Sequence, residues 1–339
     1  MEKMRLGKTN LTVSRTGFGA LPIQRTQMDE AVRILRRAYD AGIDYFDTAR
    51  GYSDSEEKLG SALSSVRQNI VIATKTPAQN AKGFWEDLET SLRMLKTDYI
   101  DVYQFHNPSF IPLPGGTDGL YDAAVEAKQK GLIRHIAITN HAFDKAKVAV
   151  ASGLYDLLQF PFSVLSSKDD IDLVNLCEEY DVGFVAMKAL SGGLITNAVP
   201  TFSFIRQQGN VLPIWGIQQM HELEEFIALS NNPPKMDEEM QALIAADIQA
   251  LAGDFCRGCG YCLPCPTEIP INTAARIYFL VTRSPSERFR QPDFAEQMDR
   301  IDACIECGLC ASRCPYGLDT PNLLKRQLEL YRNWLQTEA

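Results

Sequence analysis

The chain has 339 residues, with 34 Lys+Arg against 43 Asp+Glu and a formal net charge of −9. That length suits one large domain plus a smaller one, and so acidic a balance argues against a nucleic-acid partner. No charged-then-apolar leader opens the chain and no apolar run approaches the roughly 18 residues of a membrane span, so a soluble cytoplasmic protein is expected.

From Leu11 to about Ser230, β-rich runs alternate with amphipathic ones. The expected strands are Val13–Gly19, Tyr45–Thr48, Ile70–Thr74, Ile100–Phe105, Ile133–Thr139, Leu157–Phe160, Val182–Met187 and Val211–Trp215. Helices are expected between them, as in Met28–Tyr39 and Phe84–Leu95, with Asp29 in a first turn and Gly42 past an end. Eight strands alternating with helices predict an α/β protein built on a (β/α)8 TIM barrel. A doubly wound sheet is the rival, but no Gly-x-Gly-x-x-Gly follows the first strand. Asn231-Asn-Pro-Pro234 reads as a linker, which divides the chain into a barrel, residues 1–234, and a second domain, 235–339. Beyond the linker, helices are expected over Met236–Ala252, Ile271–Val281 and from Thr320-Pro321 to about Leu335, so this smaller domain is mostly helical.

Reactive groups of a barrel sit at the C-terminal ends of its strands. Asp47 ends the second strand, Tyr52 lies in the loop that follows, Lys75 ends the third strand and His106 the fourth. Singly, an Asp there is often a cap and a Tyr or His a packed ring. Together they form a coherent reduction site. A phenol with a pKa near 10 shuttles protons poorly at neutral pH, and a neighbouring ammonium lowers that value. Lys75 is expected to do this, held by an ion pair with Asp47. His106 can orient a carbonyl oxygen, and Tyr52 can donate a proton as hydride reaches the carbonyl carbon.

Eight of the nine cysteines fall in two runs, Cys256-x2-Cys259-x2-Cys262-x2-Cys265-Pro and Cys304-x2-Cys307-x2-Cys310-x3-Cys314-Pro. Thiols every third residue suit the corners of an iron–sulfur cubane, and two runs imply two [4Fe–4S] clusters and one-electron traffic. A zinc site would use two pairs split by a longer loop. A disulfide framework would need an oxidising compartment and a smaller chain. The first run has two residues, not three, before Cys265, so Cys265 is its least regular member. Cys177 lies on an apolar helical face and reads as core.

The barrel segment resembles the aldo-keto reductases, on Gly17-Phe-Gly-Ala, Asp47-Thr-Ala-x-x-Tyr52, Ser55-Glu-Glu-Lys-Leu-Gly60 and Ser91-Leu-Arg-Met-Leu-Lys-Thr-Asp-Tyr-Ile-Asp101. The whole chain resembles the subgroup that carries a C-terminal iron–sulfur domain. The resemblance implies that Asp47, Tyr52, Lys75 and His106 are the catalytic tetrad. It implies a nicotinamide cofactor, NAD(H) or NADP(H), held by Thr139, Asn140 and Gln159 at the amide and by Leu190-Ser-Gly192-Gly193 near the pyrophosphate, where glycine permits close approach. Met187 stands where the family stacks an aromatic ring. Lys188 is either a phosphate contact or a solvated lysine. The segment Gly216–Glu225 bears no Lys or Arg where the family grips a 2′-phosphate, and its carboxylates favour NADH over NADPH, or weak binding of both. Resemblance to two-cluster ferredoxins implies crossed ligation: Cys256, Cys259, Cys262 and Cys314 for one cluster, Cys304, Cys307, Cys310 and Cys265 for the other.

Two functions follow as expectations. One is a carbonyl oxidoreductase acting on a small aldehyde or ketone, with the clusters as electron relay or structural staple. The other is an electron-transfer protein serving a ferredoxin-like partner, with the barrel as scaffold. Trp85, Phe110 and Trp215 read either as pocket lining or as core, and the Pro/Gly-rich loop Asn107–Gly116 as a candidate lid.

Overall fold

The computed structural model describes residues 1–251, 255–258, 260–283, 287–314 and 316–337. Cys259 and Pro315, both named above in the cysteine runs, lie outside the described residues.

A short hairpin, β1 (Lys3–Arg5) and β2 (Thr12–Ser14), precedes eight parallel strands: β3 (Gly17–Gly19), β4 (Tyr45–Asp47), β5 (Val71–Thr76), β6 (Ile100–His106), β7 (Ile133–Thr139), β8 (Leu157–Pro161), β9 (Gly183–Met187) and β10 (Val211–Gly216). The eight close on themselves, β10 pairing with β3 as well as with β9. The (β/α)8 barrel expected from the alternation is therefore the fold. Its strands are buried on both faces, which is why they read as nearly continuous apolar runs.

The run Val13–Gly19 is not one strand. Ser14 donates its N–H to the Asp44 carboxylate at 2.6 Å, and its hydroxyl donates to the Thr16 carbonyl at 2.8 Å. These bonds turn the chain at Arg15–Thr16, so Thr12–Ser14 pairs antiparallel with β1 and only Gly17–Gly19 enters the barrel. The hairpin's Met4 and Val13 join Tyr45, Ala73, Val102, Ala137, Leu157 and Leu212 in one core cluster.

Outside the strands run α1 (Met28–Asp40), α2 (Ser55–Leu63), α3 (Ala81–Leu95), α4 (Leu120–Gln129), α5 (Phe143–Ala151), α6 (Lys168–Glu179), α7 (Ala198–Arg206) and α8 (Met220–Asn231). Gly60 is required by packing: a Cβ there would lie 2.2 Å from the Met94 carbonyl oxygen, so only glycine lets α2 approach the end of α3. Trp215 is buried and stacked between Phe202 and Phe226, which makes it core. Cys177 is also core, and burial pushes its thiol up to about 12.

The residues form two compact units, Met1–Ala189 with Thr201–Met236, and Leu190–Pro200 with Asp237–Ala339. The second holds α9 (Glu238–Ala250), α10 (Ile271–Ala274), α11 (Ile277–Arg283), α12 (Pro292–Asp299), α13 (Leu309–Ser312) and α14 (Thr320–Thr337). The helix expected over Ile271–Val281 breaks between α10 and α11, because the Arg276 N–H bonds the Thr273 carbonyl three residues back. At α14 the cap falls one residue early, on Asp319, whose carboxylate accepts from the Asn322 N–H at 3.5 Å. No helix among the described residues is long and apolar enough to cross a membrane.

Candidate functional site

The ends of β4, β5 and β6 carry Asp47, Lys75 and His106, and the turn after β4 carries Tyr52. Lys75 Nζ donates to Asp47 Oδ1 and to the Thr48 carbonyl, each at 2.6 Å. Both charged groups are buried. The Tyr52 ring meets the His106 imidazole edge-on, with centroids 5.7 Å apart, and Lys75 Nζ lies 5.1 Å from the Tyr52 centroid. The structure thus brings all four side chains together.

The turn is fixed from beneath by the Ser55–Gly60 segment. Ser55 donates to the Ala20 carbonyl at 2.9 Å and shares a hydrogen bond with Thr48 at 2.8 Å. Glu56 is buried, accepts from Thr74 and Ser91 at 2.7 Å each, and pairs with Arg50. Lys58 donates to the carbonyls of Ile23 and Gln24 and pairs with Asp54. A buried carboxylate and ammonium are tolerated here because each is multiply bonded.

The expected pull of Lys75 on the phenol is present, but burial acts against it more strongly. Burial raises the Tyr52 phenol above its ordinary value, and so does Asp47; the charge of Lys75 and its hydrogen bond pull the other way without prevailing. Desolvation of the phenolate therefore outweighs the ammonium. Burial likewise pushes the Asp47 carboxyl up, opposed by Lys75, Gln159 and Gln104. Burial and the Lys75 charge take His106 down to about 3. The resting site holds a neutral phenol and a neutral imidazole, the forms that donate a proton and a hydrogen bond to a carbonyl oxygen.

Two residues escaped the sequence reading. Gln104 Nε2 donates to Asp47 Oδ2 at 3.2 Å. It sits opposite Lys75 in register and two residues before His106, so strand alternation could have found it. His141 follows Thr139-Asn140; burial, Lys188 and His106 together hold its imidazole well below the ordinary value. Its placement just past the end of β7 was the available signal.

Of the residues expected at a nicotinamide, Thr139 and Gln159 are buried neighbours in register, with His106 on the other side of Thr139. Gln159 Nε2 also reaches Asp47 Oδ1 at 3.4 Å. Asn140 accepts from the Ala142 N–H at 2.8 Å and donates to the Pro108 carbonyl at 3.4 Å. Met187 ends β9, and Lys188 follows it in the left-handed region at φ 58°. Gly192 and Gly193 have φ of 69° and 89° and belong to the second unit. Along Gly216–Glu225, Glu222 accepts from the N–H groups of Gln218 and Gln219, and Glu224 pairs with Arg37.

In the second unit the cysteines ring two hollows. One is lined by Cys262, Cys265, Cys304, Cys307 and Cys310. The other is lined by Cys256, Cys262 and Cys314. Among the described residues no three His, Cys, Asp or Glu side chains converge as a single metal ion requires. Thiols spread around a hollow, with residues of both runs at each, fit iron–sulfur cubanes. The Gly258 N–H donates to Cys256 Sγ at 3.3 Å. Burial pushes the Cys265 thiol up, but Thr267 and the backbone N–H groups of Ile269 and Thr267 bring it below the ordinary value. Despite its irregular spacing, Cys265 is well placed as a thiolate.

Residues 15–201 match the model of the aldo/keto reductase family, and 255–319 that of a 4Fe-4S dicluster domain. The chain belongs to the aldo-keto reductases, which are NAD(P)H-dependent oxidoreductases, and carries in addition a 4Fe–4S domain. It is 31% identical over 210 residues to the uncharacterized oxidoreductase YqkF of Bacillus subtilis, covering 58% of this chain and 67% of that protein. It is 27% identical over 229 residues to the NADH-specific methylglyoxal reductase of Escherichia coli, covering 59% of this chain and 70% of that one. The aldo-keto reductase AKR11C1 of Bacillus halodurans superposes with a TM-score of 0.65 at 23% identity, over 73% of this chain and 96% of its own, a likeness of fold.

Proposed function

We propose that the chain reduces a small aldehyde or ketone, or oxidises the alcohol, with Tyr52 as proton donor. A bound nicotinamide would supply the hydride, and bound clusters would pass single electrons or staple their domain. Asp47 holds Lys75 and Lys75 tunes Tyr52. His106 donates a hydrogen bond to the carbonyl oxygen. Thr139, Asn140, Gln159, Met187, Lys188, Gly192 and Gly193 bind the nucleotide, and Cys256, Cys259, Cys262, Cys265, Cys304, Cys307, Cys310 and Cys314 hold two [4Fe–4S] clusters with crossed ligation. The functional division stays at 234/235, with a cytoplasmic location. The observation that carries the reading is the buried Asp47–Lys75 pair at 2.6 Å beside Tyr52 and His106.

NADH is the favoured coenzyme, because Gly216–Glu225 offers a 2′-phosphate no cation. The relative named as an NADH-specific methylglyoxal reductase supports the same preference and a small carbonyl substrate.

A second reading, electron transfer to a ferredoxin-like partner, has its own observation. Cys307 is exposed, and Ile305 and Leu309 expose 64% and 38% of their surface within that run. A cluster there would sit within reach of a docking protein.

Tyr52→Phe separates the two. Loss of general acid catalysis should cut carbonyl turnover by about 10²–10⁴-fold with cluster absorbance unchanged. Undiminished turnover would refute the role of Tyr52, and absence of turnover in the parent with intact cluster reduction would favour the carrier.

A further inference from the structure

The segment Leu190–Pro200 follows β9 after Lys188 and Ala189, yet it packs with the cysteine-bearing unit. Its turn is tight: Ser191, Gly192 and Gly193 have φ of 51°, 69° and 89°, and the N–H groups of Gly193 and Ile195 both bond the Leu190 carbonyl. What meets this turn is Arg276, at the break between α10 and α11. Its Nε donates to the Asn272 carbonyl at 3.1 Å and its Nη1 to the Gly192 carbonyl at 3.3 Å.

The same guanidinium lies against the first cysteine run. A Cβ on Gly258 would fall 2.7 Å from Arg276 Cζ, and one on Gly192 would fall 2.9 Å from Nη1. Gly258 is the residue whose N–H donates to Cys256 Sγ. Both glycines adopt positive φ, 69° and 66°, and the guanidinium packs closely against each, so the arginine lies between the Leu190–Gly193 turn and Gly258 of the first cysteine run. The break in the helix is what aims it there, since its backbone N–H closes onto Thr273 and α11 starts afresh.

We propose that Arg276 is a positioning residue that ties the Leu190–Gly193 turn to the first cysteine run, so that nucleotide affinity and the state of the cluster held by that run are coupled. The consequence for nucleotide rests on the proposed role of Gly192 and Gly193; the tether itself does not. Coupling is reciprocal: if cluster reduction changes nucleotide affinity, nucleotide changes the cluster's midpoint potential by the same free energy. The guanidinium's charge further favours the more negative, reduced cluster.

The test uses the cluster-loaded full chain, Arg276→Leu and, as a variant that keeps the charge without the planar fork, Arg276→Lys. Hydrogen exchange is followed in peptides spanning residues 190–200, and midpoint potentials are measured with and without saturating NAD+. The tether predicts exchange at 191–193 faster by about tenfold in Arg276→Leu and intermediate in Arg276→Lys, with iron content unchanged. It predicts that NAD+ shifts the parent's potential, each tenfold in coupled affinity reading as about 59 mV for one electron, and that the shift vanishes in Arg276→Leu. Unchanged exchange in Arg276→Leu with clusters loaded overturns the proposal. If NAD+ fails to bind the parent at all, the nicotinamide reading falls while the exchange result still decides the tether.

Discussion

The strand-end site and the cysteine unit are built on opposite principles. At the strand ends every charged group already has its partner from the protein: Lys75 bonds Asp47 and Thr48, and both oxygens of Asp47 are engaged by amides or ammonium. The cysteine unit has short helices, some of only four residues, and two hollows whose walls carry thiols among apolar residues. One region is held by bonds between its own side chains; in the other, thiols of two runs face shared hollows. The two regions should therefore be separable in stability, since the bonds that hold the tetrad come from barrel residues.

The largest expected effect tests that separation. Removing iron with a chelator under anaerobic conditions should abolish protease resistance across residues 255–319 while the barrel keeps its thermal transition, because a thiolate site's binding energy is folding energy. Simultaneous loss of both regions would break the comparison.

Next comes Lys75→Met. It strands a buried carboxylate whose oxygens remain bonded only to Gln104 and Gln159. Breaking a buried pair costs about 3–5 kcal/mol, so the barrel's denaturant midpoint should fall accordingly and carbonyl turnover should disappear, with the cluster absorbance unmoved. A shift of under about 1 kcal/mol, the range of an exposed pair, would mean that the pair is hydrated.

The smallest effect is a matter of shape. His106 is neutral down to about pH 3, and Tyr52, raised by burial, keeps its proton past its ordinary value. The sign follows: reduction needs the phenol, so its rate should be flat through neutrality and fall only as the pH exceeds about 10, whereas alcohol oxidation, which needs the phenolate, should climb with pH. An inflection in the pH profile near 6.5 would show that an imidazole titrates in the mechanism.

These regions also differed in how far they could be read from sequence. The barrel was legible because its strands alternate with amphipathic helices, and the tetrad because Asp47, Lys75 and His106 each end an apolar run. Gln104 was missed because a lone glutamine in a buried strand carries no motif; only its register with Lys75 reveals it. The phenol's net shift was not legible, because sequence names the neighbouring ammonium but not how much water the fold removes. The extra β1–β2 hairpin was hidden because the Ser14–Asp44 bonds that split Val13–Gly19 join residues far apart in the sequence. In the cysteine unit the runs announced their chemistry, while the break at Arg276 and its lodging between Gly192 and Gly258 depend on tertiary packing that spacing does not encode.

The central claim, a nicotinamide-dependent carbonyl oxidoreductase, is tested most directly by anaerobic fluorescence titration of the cluster-loaded chain with NADH and, separately, NADPH. Saturable binding below about 1 mM, within the usual range of working enzymes, and tighter for NADH, is the predicted result. No binding of either nucleotide at that concentration would contradict the account and leave electrons entering through the cysteine unit as the remaining route.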